Sequence, residues 1–194
     1  MADARRIAKD AWTDLEARIR LVEPRLLKSL PPGATDSDLD FIERHLGSKL
    51  PPLVREMYRV HDGIGMPAQV PVGGYMRTCR SYFLCLADAL AEWRFLSESL
   101  SRGSFDDLKI ESVDGPVRAE WWNRLWLPIA ADSGGNYHCV DLDPAPGGVV
   151  GQVIQFWHDA RERTVSAPDL ATFLLNHVEE HEWAAVFRVK FAKN

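Results

Sequence analysis

The spacing of hydrophobic residues changes once along this chain, and that change limits the folds that the chain can adopt. Before residue 126 the apolar side chains recur every three or four residues, which predicts amphipathic helices. From Trp126 onward they form short apolar or alternating runs separated by turn residues, which predicts strands. The runs cover residues 126–130, 137–143, 149–157 and 163–167. Helices, then an antiparallel meander, then a helix from Pro168 indicate an α+β domain.

Helix boundaries are marked by particular residues in the first part of the chain. The helix predicted over 3–29 has to kink or divide at Pro24, because proline interrupts the helical hydrogen-bond ladder. Thr35 and Asp38 have the spacing of a capping box at the start of the next helix. Gly47 is placed to end that helix in the left-handed conformation.

Breaks in the pattern divide the chain into three parts. Pro31-Pro32-Gly33 separates an N-terminal helical extension, residues 1–30, from the main domain. The domain is predicted over 31–182, and 183–194 form a C-terminal tail. Within the domain, we expect a short edge strand at 69–72 and a polar loop at 101–119.

Charge narrows the range of partners. The chain has 194 residues and a formal net charge of −5, and residues 3–29 are mildly basic at +2. This acidic balance argues against a general nucleic-acid binder, which needs excess cations to displace phosphate counterions. No secretory signal and no membrane-spanning apolar run are visible, so we expect a cytoplasmic protein.

The densest group of polar side chains lies in the meander, and it is the candidate site for a metal-dependent hydrolase. Its members are Asp132, His138, Asp141, Asp143, His158 and Asp159. Strand alternation turns His138 and Asp141 to opposite faces, which works against a shared metal site. Asp132 and Asp143 are instead expected to shape turns by accepting backbone N–H bonds. We therefore expect no catalytic residue, no metal and no cofactor.

Tryptophan is unusually frequent, with seven in the chain, and three of them fall within six residues. Trp121, Trp122 and Trp126 cannot all face inward from one element. Two interpretations stay open, an aromatic core cluster beneath the sheet and an interface where tryptophan and arginine are favoured.

Two stretches together resemble the SUKH superfamily, the domain of fungal cell-wall-synthesis regulators and many bacterial immunity proteins. The first runs from Thr35 through Leu50-Pro51 to His61-Asp62-Gly63 and resembles the opening of that family. The second is similar to its central signature, and its parts are Trp126-Leu127-Pro128-Ile129, Asp141-Leu142-Asp143-Pro144, Gly151-Gln152-Val153 and His158-Asp159. Asn136 departs from the pattern, because the family usually carries aspartate there.

The resemblance implies a SUKH-like α+β fold, with an antiparallel-rich central sheet flanked by helices and an N-terminal helical extension. It also implies a non-enzymatic domain that binds a protein, as an immunity protein neutralising a cognate toxin, with a nuclease as one class of target. The alternative is a regulatory peptide- or protein-binding scaffold of the cell-wall-regulator type. Neither nucleic acid nor membrane is an expected partner.

We expect the contact surface on the concave side of the sheet and its bordering loops. The candidate partner-binding residues are Tyr75, Trp121, Trp122, Trp126, Asp132, Tyr137, Asp141, Asp143 and Trp157.

Overall fold

A computed structural model describes residues 2–22, 24–28, 30–64, 82–132 and 134–180, which form helices packed on one sheet. The helices are α1 (Ala2–Val22), α2 (Pro24–Leu27), α3 (Asp36–Leu46), α4 (Pro52–Val60), α5 (Leu86–Ser101) and α6 (Leu170–Glu180). The strands are β1 (Tyr82–Phe83), β2 (Ser112–Asp114), β3 (Trp126–Ala131), β4 (Tyr137–Asp141), β5 (Val153–Phe156) and β6 (Glu162–Ala167). The edge strand predicted at 69–72 and the tail at 183–194 lie outside the described residues.

The sheet contains the predicted meander at its centre. Strand order is β1-β3-β4-β5-β6-β2, and the four strands from β3 to β6 follow one another as antiparallel neighbours. β1 pairs antiparallel with β3, whereas β2 pairs parallel with β6 at the opposite edge. The α+β class with an antiparallel-rich sheet is therefore confirmed.

Helices cover both faces of this sheet. On one face, Tyr137 of β4 donates its hydroxyl to Glu92 of α5 at 2.6 Å. On the other face, the ring of His138 lies 4.7 Å from that of Phe173 in α6. Consecutive side chains of β4 thus point to opposite helices, because strand side chains alternate between faces.

The N-terminal helix packs against the domain. The Trp12 indole N–H donates to the carbonyl of Met57 in α4 at 2.9 Å, and Trp12, Leu15 and Ile19 are buried. Arg18 donates to the Leu175 carbonyl in α6 at 3.1 Å. Among the described residues, none of the helices has the length and apolar character needed to cross a membrane.

Local signals in the sequence predict several element ends correctly. α1 ends at Val22 and α2 begins at Pro24, as the proline requires. Both hydrogen bonds of the Thr35–Asp38 capping box are present, and Gly47 ends α3 with φ 67°.

Two features differ from the prediction. β5 begins at Val153 rather than at residue 149, because 147–151 form turns that leave Val149 and Val150 exposed. The segment predicted as a loop at 101–119 contains β2, an exposed three-residue strand that pairing with β6 stabilises.

Candidate functional site

The candidate site lies at the end of the sheet where β4 ends and β5 begins, and the buried Asp141 is at its centre. Its Oδ1 accepts the Asp143 N–H at 2.9 Å, and its Oδ2 accepts a hydrogen bond from Gln152 Nε2 at 3.0 Å. Burial raises the pKa of Asp141 above its ordinary value, although these two hydrogen bonds oppose the increase. The carboxyl group therefore fixes the neighbouring turn and the Gln152 side chain.

The Gln152 side chain connects the chain at Pro116, Asp141 and Val149. Besides its bond to Asp141, its Nε2 donates to the Pro116 carbonyl at 2.9 Å. Its Oε1 accepts the Val149 N–H at 3.2 Å. Because the side chain is buried, a hydrogen bond lost here could not be replaced by one to water. The three bonds therefore hold the 147–151 turn in place.

A second carboxylate, that of Asp143, anchors the segment that precedes β3. Arg118 approaches it with two nitrogens, Nη2 to Oδ1 at 2.7 Å and Nε to Oδ2 at 2.6 Å. Asn123 also donates to its Oδ2 at 3.1 Å. The hydrogen bond from Arg118 holds the pKa of Asp143 below its ordinary value.

These braced segments surround an apolar groove of about 380 Å³. Its lining residues are Pro116, Gly147, Gly148, Val149, Gln152, Val165, Ser166, Ala167 and Pro168. Val149 and the adjacent Val150 are 63% and 56% exposed at its border. Gly148 permits the close packing here, because a Cβ would lie 2.6 Å from that of Pro144 and 2.8 Å from the Pro116 carbonyl oxygen.

The opposite end of the sheet carries a different turn cluster. Asp132 Oδ1 accepts the N–H groups of Gly134 and Asn136 at 2.8 and 2.9 Å. Asn136 Oδ1 accepts the His158 N–H at 3.1 Å, and the preceding Trp157 is 41% exposed. The prediction that Asp132 shapes a turn is confirmed, whereas Asp143 binds Arg118 and its turn is shaped by Asp141.

The structure does not assemble the predicted polar residues into one centre. Asp132 and Asp143 lie beyond opposite ends of β4, and His138 faces α6 rather than Asp141. In the part of the chain that the structure describes, no group of three or more His, Cys, Asp or Glu side chains is arranged to hold a metal ion.

Comparison with known proteins assigns this chain to a family. Residues 33–176 match the model of the SMI1/KNR4 family (SUKH-1). The chain belongs to this family. The match contains the groove and both turn clusters, and it begins after α1 and α2.

Relatives of this SMI1/KNR4 chain are named as regulators. It is 30% identical over 153 residues to the cell wall biosynthesis/cell cycle regulator smi1 of Schizosaccharomyces pombe, covering 73% of this chain and 30% of that protein. It is 24% identical over 203 residues to the glucan synthesis regulatory protein of Neurospora crassa, covering 88% and 37%. A shorter match, 44% over 55 residues, is to human F-box only protein 3 and covers 28% and 12%. The chain thus spans less than half the length of these relatives.

Four of the aromatic candidates of the SMI1/KNR4 chain lie inside the domain. Trp122 donates its indole N–H to Ser97 at 3.2 Å and packs edge-on against Trp126 and Phe156. Trp121, Trp122 and Trp126 are buried, as the core interpretation expects, and the candidate Tyr137 is buried as well. Tyr75 lies outside the described residues.

A buried arginine holds this aromatic cluster to β6. The Arg163 guanidinium lies 4.7 Å from the Phe156 ring centre and 5.2 Å from that of Trp121, and it donates to the Trp121 carbonyl at 2.8 Å. Burial lowers the pKa of Arg163 to about 10. Stacking and backbone hydrogen bonds therefore stabilise a cation inside the domain.

Three groups that the sequence reasoning did not select complete the site: Gln152, the Val149-Val150 pair and Arg118. Gln152 could have been found, because it is the glutamine of the Gly151-Gln152-Val153 motif. Arg118 carries no sequence signal, since its partner Asp143 is 25 residues away.

Proposed function

We propose that this SMI1/KNR4 domain is a non-enzymatic, protein-binding regulatory module that holds a segment of its partner at the groove bordered by Val149 and Val150. The observation that carries the proposal is the exposure of these two valines beside an apolar groove. Adjacent exposed apolar residues at a concave site favour binding, because partner side chains remove them from water.

The rigidity of the groove supports the same proposal. Gln152 bonds Val149, Pro116 and Asp141, so the groove walls are held before a partner arrives. A preformed site loses less conformational entropy on binding than a flexible loop does. The buried candidates Trp126 and Asp141 would act by shaping this end of the sheet, whereas Trp157 lies at the opposite end, away from the groove.

The names of the relatives agree with regulation through binding. Proteins named as regulators of cell wall and glucan synthesis match this chain over most of its length. We therefore propose that the partner of this chain acts in cell wall or glucan synthesis.

Site-specific photo-crosslinking tests the proposal, because it captures a bound protein of any sequence. A benzophenone amino acid replaces Val149 in the full chain, which is added to a lysate of its native cells and irradiated, and adducts are identified by mass spectrometry. We expect one dominant protein adduct at Val149 and none at Leu21, which is exposed on α1. Val149→Asp/Val150→Asp, added as competitor, should fail to suppress the adduct, whereas the unmodified chain should suppress it. Equal adducts at Val149 and Leu21 would contradict binding at the groove.

A second candidate function, an immunity protein against a cognate toxin, is favoured by the acidic charge. The net charge of −5 would speed encounter with a basic nuclease. Co-expression with the product of a neighbouring toxin gene should rescue growth and yield a co-purified complex. Failure of both would leave the regulatory function standing alone.

A further inference from the structure

A second surface with binding character lies between α3 and α5, on elements that do not line the groove. Phe41 of α3 is 45% exposed and Phe95 of α5 is 64% exposed. The Phe41 ring lies 4.3 Å from that of His45, and His45 accepts a hydrogen bond from Arg94, the residue before Phe95. We call Phe41, Arg44, His45, Arg94 and Phe95 the α3–α5 patch.

The two arginines of the α3–α5 patch have no carboxylate partner among the described residues. Arg44 lies over the Phe41 ring at 5.8 Å, and Arg94 donates to His45 Nε2 at 2.8 Å. Most other arginines of the described chain pair with an aspartate or glutamate, in keeping with the acidic composition. The α3–α5 patch therefore offers two exposed guanidinium groups that no carboxylate of the described residues pairs with.

The carboxylates near the patch are already engaged. On α3, Asp36 and Asp40 bind arginines of α4, Asp38 caps the helix, and Glu43 binds Lys49 and Arg55. On α5, Glu92 accepts the Tyr137 hydroxyl and Glu98 binds Arg102. Asp36, Asp40, Glu43 and Glu98 are thus paired with cations, and none of these six carboxylates of the described chain forms an ion pair with Arg44 or Arg94.

His45 orients one of the arginines. Because Arg94 can only donate, Nε2 of His45 must accept, and the proton is on Nδ1. Nδ1 lies 2.9 Å from the Phe41 carbonyl, which accepts its hydrogen bond. The chain of bonds from Arg94 through His45 to α3 positions the guanidinium beside the two exposed rings.

We propose that the α3–α5 patch binds an acidic segment of a partner protein, in which aspartate or glutamate residues flank an apolar anchor. Guanidinium groups bind carboxylates in a forked geometry, and exposed phenylalanines offer apolar contact to the anchor. An anionic membrane surface requires a larger basic cluster than the two arginines of this patch. The patch lies on α3 and α5, which do not line the groove. Binding at the patch is therefore a second interaction, separate from the one proposed for the groove.

Selection from a random peptide library displayed on phage, against the full chain, tests the proposal. Enriched sequences, synthesised with a fluorescent label, are expected to combine acidic and large apolar residues. Arg44→Glu/Arg94→Glu should weaken their binding, measured by fluorescence anisotropy, by at least about tenfold. Arg161→Glu is the control, since this exposed arginine lies outside the α3–α5 patch. Its substitution changes the net charge by as much as each of the two substitutions in the patch. Its binding should stay within about twofold of the parent chain.

The apolar part of the patch is tested with Phe41→Ala/Phe95→Ala, which should also weaken binding about tenfold. Leu21→Ala removes an exposed apolar side chain from α1 and should have no effect. Circular dichroism on each variant checks that the fold is intact, which we expect because all these side chains lie at the surface.

Several results would overturn the proposal. They include enrichment of no peptide or of peptides without acidic residues, unchanged binding by Arg44→Glu/Arg94→Glu, and an equal loss with Arg161→Glu. Arginine-dependent binding to phosphatidylserine vesicles would assign the patch to membranes, and an arginine-dependent dimer in sedimentation would assign it to a second copy. Loss of the acidic peptides only with Val149→Asp/Val150→Asp would move them to the groove, so the two surfaces are tested separately.

Discussion

Asp141 and Asp143 are two residues apart, yet their surroundings shift their pKa values in opposite directions. Burial raises the pKa of Asp141, so its contribution favours the folded state at low pH and is lost as the pH rises through the folded pKa. Arg118 lowers the pKa of Asp143, whose contribution is present above the unfolded pKa and is lost as the pH falls through the folded value. One carboxyl group thus acts as an internal acceptor and the other as an ion-pair partner near the surface.

Substitution of Gln152 tests the internal network at the level of one side chain. Gln152→Met keeps the volume but removes the bonds to Asp141, Pro116 and Val149, which leaves the buried Asp141 carboxylate short of a donor. We expect the free energy of unfolding to fall by about 1–3 kcal/mol, measured by urea denaturation. Crosslinking from Val149 should decrease as well, because the 147–151 turn loses its anchor.

The control for this substitution is Gln155→Met on the adjoining strand β5, where the side chain is only half-buried. It should change stability by less than about 0.5 kcal/mol. An equal loss in both variants would show that the Gln152 bonds have no special role in holding the groove.

At the scale of elements, helix ends could be predicted because their causes are local. The capping box of Thr35 and Asp38 and the break at Pro24 depend on residues within one turn of each other. The existence of β2 depends instead on pairing with the distant strand β6, and the start of β5 depends on the turn that precedes it. Val149 and Val150 have strong strand propensity, yet Gly147 and Gly151 with positive φ turn the chain there.

The helix α1 lies outside the family match, and we expect its packing to contribute to the stability of the domain. Trp12 is buried against His61 and Phe83, and it donates to the Met57 carbonyl. Trp12→Ala should lower the free energy of unfolding by about 3–5 kcal/mol in urea titrations, because it leaves a large cavity and removes the indole hydrogen bond to the Met57 carbonyl.

Trp157→Ala is the matched change for Trp12, since the Trp157 ring is exposed at a turn. It should alter stability by no more than about 0.5 kcal/mol. Similar stability of Trp12→Ala and the parent chain would mean that α1 contributes little to the fold.

At the scale of the molecule, the sequence predicts the α+β class and the meander but identifies only part of the site. The motif around Gly151-Gln152-Val153 lies at the end of the sheet where the groove is found. The spacing of Trp121, Trp122 and Trp126 cannot distinguish core from surface, because that depends on how α5 covers the sheet. In the sequence, Arg44 and Arg94 look like ordinary helix residues. Only the structure shows that neither has a carboxylate partner among the described residues.

The two proposed surfaces should differ in their response to salt, because one depends on charge and the other on apolar contact. Raising the NaCl concentration from about 0.01 M to 1 M shortens the Debye length from roughly 30 to 3 Å and screens exposed arginines such as Arg44 and Arg94. Anisotropy titrations with a peptide selected on the α3–α5 patch should therefore show binding at least about tenfold weaker at high salt. Crosslink yield at Val149 should stay within about twofold, since apolar contact is not weakened by screening. The Arg44→Glu/Arg94→Glu variant should keep the same crosslink yield, and a parallel loss at both surfaces would contradict their independence.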